Sequence, residues 1–195
     1  MVSHKGKFIF VHIPKCAGTS IIERIGLANS PPCHAPITFH PKNIRDAYFK
    51  FTFVRNPWDR FVSAYFYLKN GGNGTAPQDL RSQKRINKYE SFSDFIKCDN
   101  FFTMQHFKSC SSYLNGPIDF IGKVENLQED FNIVCEKIGI TPRRVLRRNK
   151  SRHNHYTEYY DDEARNIIAA KYATDIKRFG YEFGIKNNSG SLETL

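Results

Sequence analysis

The chain has 195 residues, 40% hydrophobic and 25% charged, which fits one soluble domain and is short for two. Lys and Arg outnumber Asp and Glu by 29 to 19, a net charge of +10; a solvated basic surface and a partner carrying phosphate, sulfate or carboxylate both agree with that excess. No apolar run approaches the roughly 20 residues of a membrane span, the stretch Phe8 to Ile13 is too short for a signal peptide, and five scattered cysteines without a CxxC indicate neither zinc nor a disulfide framework, so a cytoplasmic protein with reduced thiols is expected.

Lys7 to Ile13 is an apolar run rich in β-formers and closed by Pro14, which predicts a buried strand. Ile21, Ile22, Ile25 and Leu27 follow at helical spacing, so a helix is predicted over Thr19 to Ala28. Pro31, Pro32, Pro36 and Pro41 make Asn29 to Lys42 a loop, with a short helix at Asn43 to Ala47. Lys50 to Val54 is a second buried strand, and Pro57 suits the first turn of a helix reaching about Leu68. Asn70 to Pro77, rich in Gly and Asn, is expected to be a flexible loop.

Ser91 to Ile96 and Phe101 to Tyr113 are predicted helical, Ile118 to Val124 a third strand, and Asn126 to Ile138 a helix. Thr141 to Tyr156 is basic and polar and is expected to be a surface loop. Asp161 to Arg178 has the pattern of one long amphipathic helix. Residues 1–185 are expected to form a single domain, and 186–195, rich in Asn, Ser and Gly, a disordered tail. Strands alternating with helices imply an α/β fold whose mainly parallel sheet is covered by helices on both faces. Ligands of such sheets bind at the carboxyl ends of the strands.

Two strand-to-helix turns fall at that edge. The first is Pro14-Lys-Cys-Ala-Gly-Thr-Ser20. A small-residue turn that opens a helix aims backbone N–H groups and the positive end of the helix dipole at one point, which suits an anion. Gly18 admits close approach, Thr19 and Ser20 add hydroxyls, and Lys15 adds a full charge; an ordinary capped turn is the alternative. The nucleotide-binding pattern G-x-x-x-x-G-K-[ST] is not met, because no lysine precedes Thr19. The second turn is Arg55-Asn-Pro-Trp-Asp-Arg-Phe-Val-Ser63. Arg55 leaves the strand end where a guanidinium can grip a phosphate with two parallel bonds. Ser63 lies a little over two helical turns further on. A local cluster of Arg55, Asp59 and Arg60 is the bland reading, and Asp59 is expected to do only that.

Taken together, strand–PKCAGTS–helix followed by strand–RNPWDRFVSAY–helix resembles the binding signature of sulfotransferases for 3′-phosphoadenosine 5′-phosphosulfate (PAPS). Asp119 to Phe131 and Asp175 to Tyr181 resemble later landmarks of the carbohydrate-type branch, which includes heparan sulfate 2-O-sulfotransferases and small bacterial relatives. The resemblance runs from about Phe8 to Phe183. It implies a P-loop-like three-layer fold, a metal-independent reaction, PAPS as donor with PAP as product, and a carbohydrate or other hydroxyl-bearing acceptor. It makes Lys15, Cys16, Ala17, Gly18, Thr19 and Ser20 the 5′-phosphosulfate loop, with Lys15 beside the bridging oxygen. Arg55 and Ser63 would hold the 3′-phosphate. Unlike Golgi members, this sequence shows neither membrane anchor nor stem.

A general base must take the acceptor proton, and imidazole titrates near neutral pH. His34, in the loop where similar proteins place a histidine, is the first choice and His40 the alternative; His12, inside a strand, reads as a core histidine. Lys150, Ser151 and Arg152 either fold over the cofactor phosphates, as in similar enzymes, or form a solvated charge run. Gln105 reaches toward ligand or is plain helix-surface polarity, and Trp58 and Glu125 are read as structural. Two rival functions remain: an ATP-dependent small-molecule kinase, which also uses a phosphate loop after its first strand, and a basic nucleic-acid-binding module.

Overall fold

The apolar runs of the chain pair into one four-stranded sheet. The computed structural model describes residues 1–28, 33–146 and 154–184. In chain order these form β1 (Val2–Ser3), β2 (Phe8–Val11), α1 (Gly18–Arg24), α2 (Lys42–Ala47), β3 (Phe49–Val54), α3 (Pro57–Lys69), α4 (Pro77–Ile86), α5 (Phe92–Cys98), β4 (Phe120–Lys123), α6 (Leu127–Ile138), α7 (Asp162–Lys171) and α8 (Ala173–Phe179). Expectations about Asn29 to Pro32, about Lys150, Ser151 and Arg152, and about the 186–195 tail lie outside the described residues.

The described chain divides into two compact units. One holds the described residues of Met1–Arg55 and Cys110–Arg148, the other those of Asn56–Ser109 and Asn149–Gly184.

The first unit contains the whole sheet, in the order β1-β2-β3-β4. β2, β3 and β4 run parallel, with Val11 opposite Thr52 and Val54 opposite Lys123. β1 adds an antiparallel edge, Val2 opposite Ile9, which two residues with no period could not announce. Every residue of β2 is buried and only Phe49 of β3 is partly exposed, as expected of parallel strands covered on both faces. Phe51 stacks on Phe10 with ring centroids 5.1 Å apart. α6 packs on β3 and β4, burying Leu127, Phe131, Val134 and Cys135.

The second unit is helical. Asn56 caps α3, its side chain accepting from the Trp58 amide at 3.1 Å, and Pro57 takes the first turn, where no N–H is missed. α3 buries Trp58, Phe61, Val62, Tyr65 and Leu68 in a core that also holds Phe92, Phe95, Phe101, Phe107 and Tyr172. Phe61 touches Phe107 at 4.6 Å and Phe101 edge-on at 4.9 Å. Burial of one such ring stabilises by about 1.5–3 kcal/mol. Ser91 and Asp94 cap the start of α5 reciprocally, and the Asp161 carboxylate accepts from the Ala164 amide at 2.7 Å to start α7.

Three expectations are corrected. Phe101 to Tyr113 is not a helix but a run of 3₁₀ turns at Phe101–Thr103, Gln105–Phe107 and Cys110–Tyr113. Buried Arg60 donates to the carbonyls of His106 at 3.2 Å and Lys108 at 2.6 Å, and the Tyr172 hydroxyl donates to that of Phe107. These three carbonyls are those a continuous helix would have used itself. Second, the helix expected over Asp161 to Arg178 breaks at Tyr172, whose φ of −107° and ψ of 22° are not helical. Third, Asn70 to Pro77 is a built turn rather than a slack loop. The Asn73 side chain accepts from the amides of Thr75 and Ala76 at 3.0 and 2.8 Å. It leads into α4, which the sequence reading did not include.

Candidate active site

Because β2 and β3 are parallel, both deliver their carboxyl ends to the same edge of the sheet. Thr52 ties the two together there, its hydroxyl donating to the Val11 carbonyl at 2.8 Å. After β2 the chain turns through His12 to Ala17 before α1 begins. The turn is tight enough to force Lys15 to φ 66° and Ala17 to φ 59°, left-handed values that a side chain rarely adopts and that recur at functional sites. Pro14 and Cys16 are buried within it, Lys15 is half-buried, Thr19 is exposed and Ser20 is buried.

Gly18 is required by its surroundings rather than by its φ. A Cβ there would land on Nε2 and Cδ2 of the His12 ring. The backbone at the start of α1 therefore lies directly on an imidazole, which fills the space a side chain would take. No acidic residue occurs between His12 and Ile22, so the charge that the turn itself carries is positive.

Arg55 stands at the end of β3, half-buried. Its guanidinium donates from Nη1 to the Lys15 carbonyl at 3.4 Å. The two turns singled out in the sequence thus meet at one strand edge, the Arg55 guanidinium against the Lys15 backbone. Lys123, at the end of β4 and paired with Val54, reaches the same edge; a basic residue closing a strand was the available signal, and the sequence reading passed it over.

His34 belongs to the same unit. Its Nδ1 lies 2.9 Å from the His12 carbonyl oxygen. A carbonyl only accepts, so Nδ1 carries the hydrogen, and in the neutral ring Nε2 is left with the lone pair. His34 is only partly buried, so that lone pair belongs to a ring that solvent reaches. His40, the alternative base, is also partly buried, and its ring meets Phe39 edge-on at 5.8 Å. Burial first, then the Met1 ammonium and Arg45, hold its pKa below the usual histidine value. Ser63 is buried on α3, in the other unit. Trp58 is a core residue, as expected, while Gln105 is exposed in a 3₁₀ turn. Lys150, Ser151 and Arg152 lie outside the described residues. Among the described residues no three His, Cys, Asp or Glu side chains group to hold a metal ion, and no helix is long and apolar enough to cross a membrane.

Comparison with known families decides the class: the sulfotransferase family matches residues 1–182. The chain belongs to the sulfotransferase family. An uncharacterized protein of Archaeoglobus fulgidus is 33% identical to it over 118 residues, 59% of this chain and 88% of that relative. No solved structure matches. The family match spans both turns and both units, so the basic edge of this sulfotransferase is set within an α/β frame with a mostly parallel four-stranded sheet. An ammonium, a guanidinium and a small-residue turn at one edge suit a multiply anionic group, and the partly exposed imidazole suits proton transfer.

Proposed function

We propose that this chain is a PAPS-dependent sulfotransferase acting on an acceptor hydroxyl, most simply a carbohydrate one, within the heparan sulfate 2-O-like branch and with a P-loop-like three-layer fold over residues 1–185. The observation that carries the reading is the Arg55 to Lys15 contact, which joins the two signature turns into one cationic edge. The absence of any acidic residue between His12 and Ile22 agrees with an anion seated against the turn.

PAPS, when bound, supplies the sulfuryl group and departs as PAP. Lys15, Cys16, Ala17, Gly18, Thr19 and Ser20 form the loop that receives its 5′ side. The Lys15 ammonium places positive charge where negative charge builds on the leaving oxygen. Arg55 takes the 3′-phosphate. His34 Nε2 accepts the proton of the acceptor hydroxyl as its oxygen bonds to sulfur. No metal, nucleic acid or membrane takes part, and the protein works in the cytoplasm. The kinase reading is not favoured by the family match, and Gly18 stands where that reading needs a lysine before Thr19.

The test is thermal unfolding without divalent metal. PAP should raise the melting temperature by mass action on the folded state, and ATP, which lacks a 3′-phosphate, should do so much less. Equal stabilisation by ATP, or a strict need for Mg²⁺, would refute the proposal. Radiolabelled PAPS offered to glycans, peptides and small alcohols would then name the acceptor.

A further inference from the structure

The buried histidine at the end of β2 makes more contacts with the site than a core ring needs. His12 is 6% exposed and follows Phe8, Ile9, Phe10 and Val11, where another apolar residue would fill the space without burying a polar ring. Its ring lies nearly parallel to that of Phe10, centroids 5.7 Å apart and planes at 18°. The opposite demand comes from the turn: the start of α1 at Gly18 rests on Nε2 and Cδ2 of this same ring. The His34 ring is set 4.2 Å away at 51°, and His34 also hydrogen-bonds to the His12 carbonyl.

We propose that His12 is a positioning residue for the base: its ring links the anion-receiving turn to the His34 imidazole. The inference rests on reading His34 as the base, and it adds the element that holds that base. The carbonyl bond selects the Nδ1–H tautomer only while the ring faces it, and a ring that swings away loses both the bond and the selection. The His12 ring supplies the wall that stops the swing, and Phe10 and Gly18 keep that wall in place. A shift at the turn on donor binding is then passed to His34 through a rigid packed ring, and Nε2 is held at a fixed distance from the turn that receives the donor. Proton transfer depends on such placement, and a misplacement of about 1 Å can cost on the order of 10²-fold in rate.

The experiment uses the full chain with PAP bound and reads the imidazole nitrogens by ¹⁵N-edited NMR. His34 should appear as a single Nδ1–H tautomer in the wild type. In His12→Ala the wall is gone, so His34 should show mixed tautomers, while PAP affinity stays within about threefold of wild type and turnover on desulfated heparin falls by roughly 10²-fold. His12→Phe restores a ring of similar shape without its nitrogens and should recover the single tautomer and most of the turnover. Should His12→Ala not fold, His12→Leu, which keeps bulk but no ring plane, takes its place with the same expectations. An unchanged His34 tautomer in the ring-less variant would overturn the proposal, as would a His12→Phe protein no better than it. Full activity of His34→Ala would instead remove the base assignment, a result the tautomer spectrum does not depend on.

Discussion

Gly18→Ala puts a methyl group onto the imidazole of His12. That ring has little room to retreat, since it is stacked on Phe10 on one side and faces His34 at 4.2 Å on the other. Extra volume forced into a packed site costs about 1–3 kcal/mol. Gly18 is the first residue of α1, and the gain of up to about 1 kcal/mol from alanine in a helix interior is therefore only partly realised there. For a chain of this size each kcal/mol moves the melting temperature by roughly 2–4 °C, so a loss of about 2–12 °C is expected in scanning calorimetry. PAP should stabilise the variant less than the wild type, because the same turn must shift. The decisive measurement is a double-mutant cycle. With His12→Ala already present the methyl group has space, and Gly18→Ala should then cost less than about 0.5 kcal/mol. A loss of equal size in both backgrounds, or no loss in the wild type, would show that the turn does not rest on His12.

On the proposed role of Arg55 at the 3′-phosphate, Arg55→Ala should lower PAP affinity, measured by calorimetry, by roughly 2–3 kcal/mol. Wild-type affinity in that variant would mean the second turn is misread. His34→Ala should keep PAP affinity while turnover drops on the order of 10²–10⁴-fold, with His40→Ala nearly normal in the same assay; the reverse outcome moves the base to His40. Arg60→Leu leaves the carbonyls of His106 and Lys108 without their donors and should lower stability by at least about 2 kcal/mol, seen as a lower urea midpoint. His40 has its pKa lowered by burial and then by the Met1 ammonium and Arg45. Its contribution to stability is therefore present above its unfolded value near 6.5 and is lost as pH falls from there through the lower folded value. His40→Gln should flatten the stability profile in that window, and an unchanged slope would refute the assignment.

What the sequence determined here was local. Phe8 to Val11 and Phe49 to Val54 are continuous apolar runs with breakers after them, and such runs become buried strands whatever surrounds them. Asn56-Pro57 starts a helix by cap and fixed φ alone. The order of the two turns, and the lysine and arginine they carry, was enough to point to the family that matches residues 1–182. Parallel pairing then followed from the alternation of strands and helices, and with it the meeting of both turns at one edge.

The rest was decided by groups far apart in the chain. Phe101 to Tyr113 has helical spacing, yet Arg60 and Tyr172, separated from it by 46 to 65 residues, take its carbonyls and impose 3₁₀ turns. The same Tyr172 hydroxyl sits at the break between α7 and α8. His12 looked like core by its strand position, and it is buried. Its contact with His34, 22 residues away, exists only because the 33–40 loop returns to the end of β2. Periodicity and turn chemistry record what a residue demands of its neighbours in sequence. Which carbonyl a buried guanidinium satisfies, or which imidazole a ring supports, is set by the burial of polar groups that must find partners wherever the fold brings them.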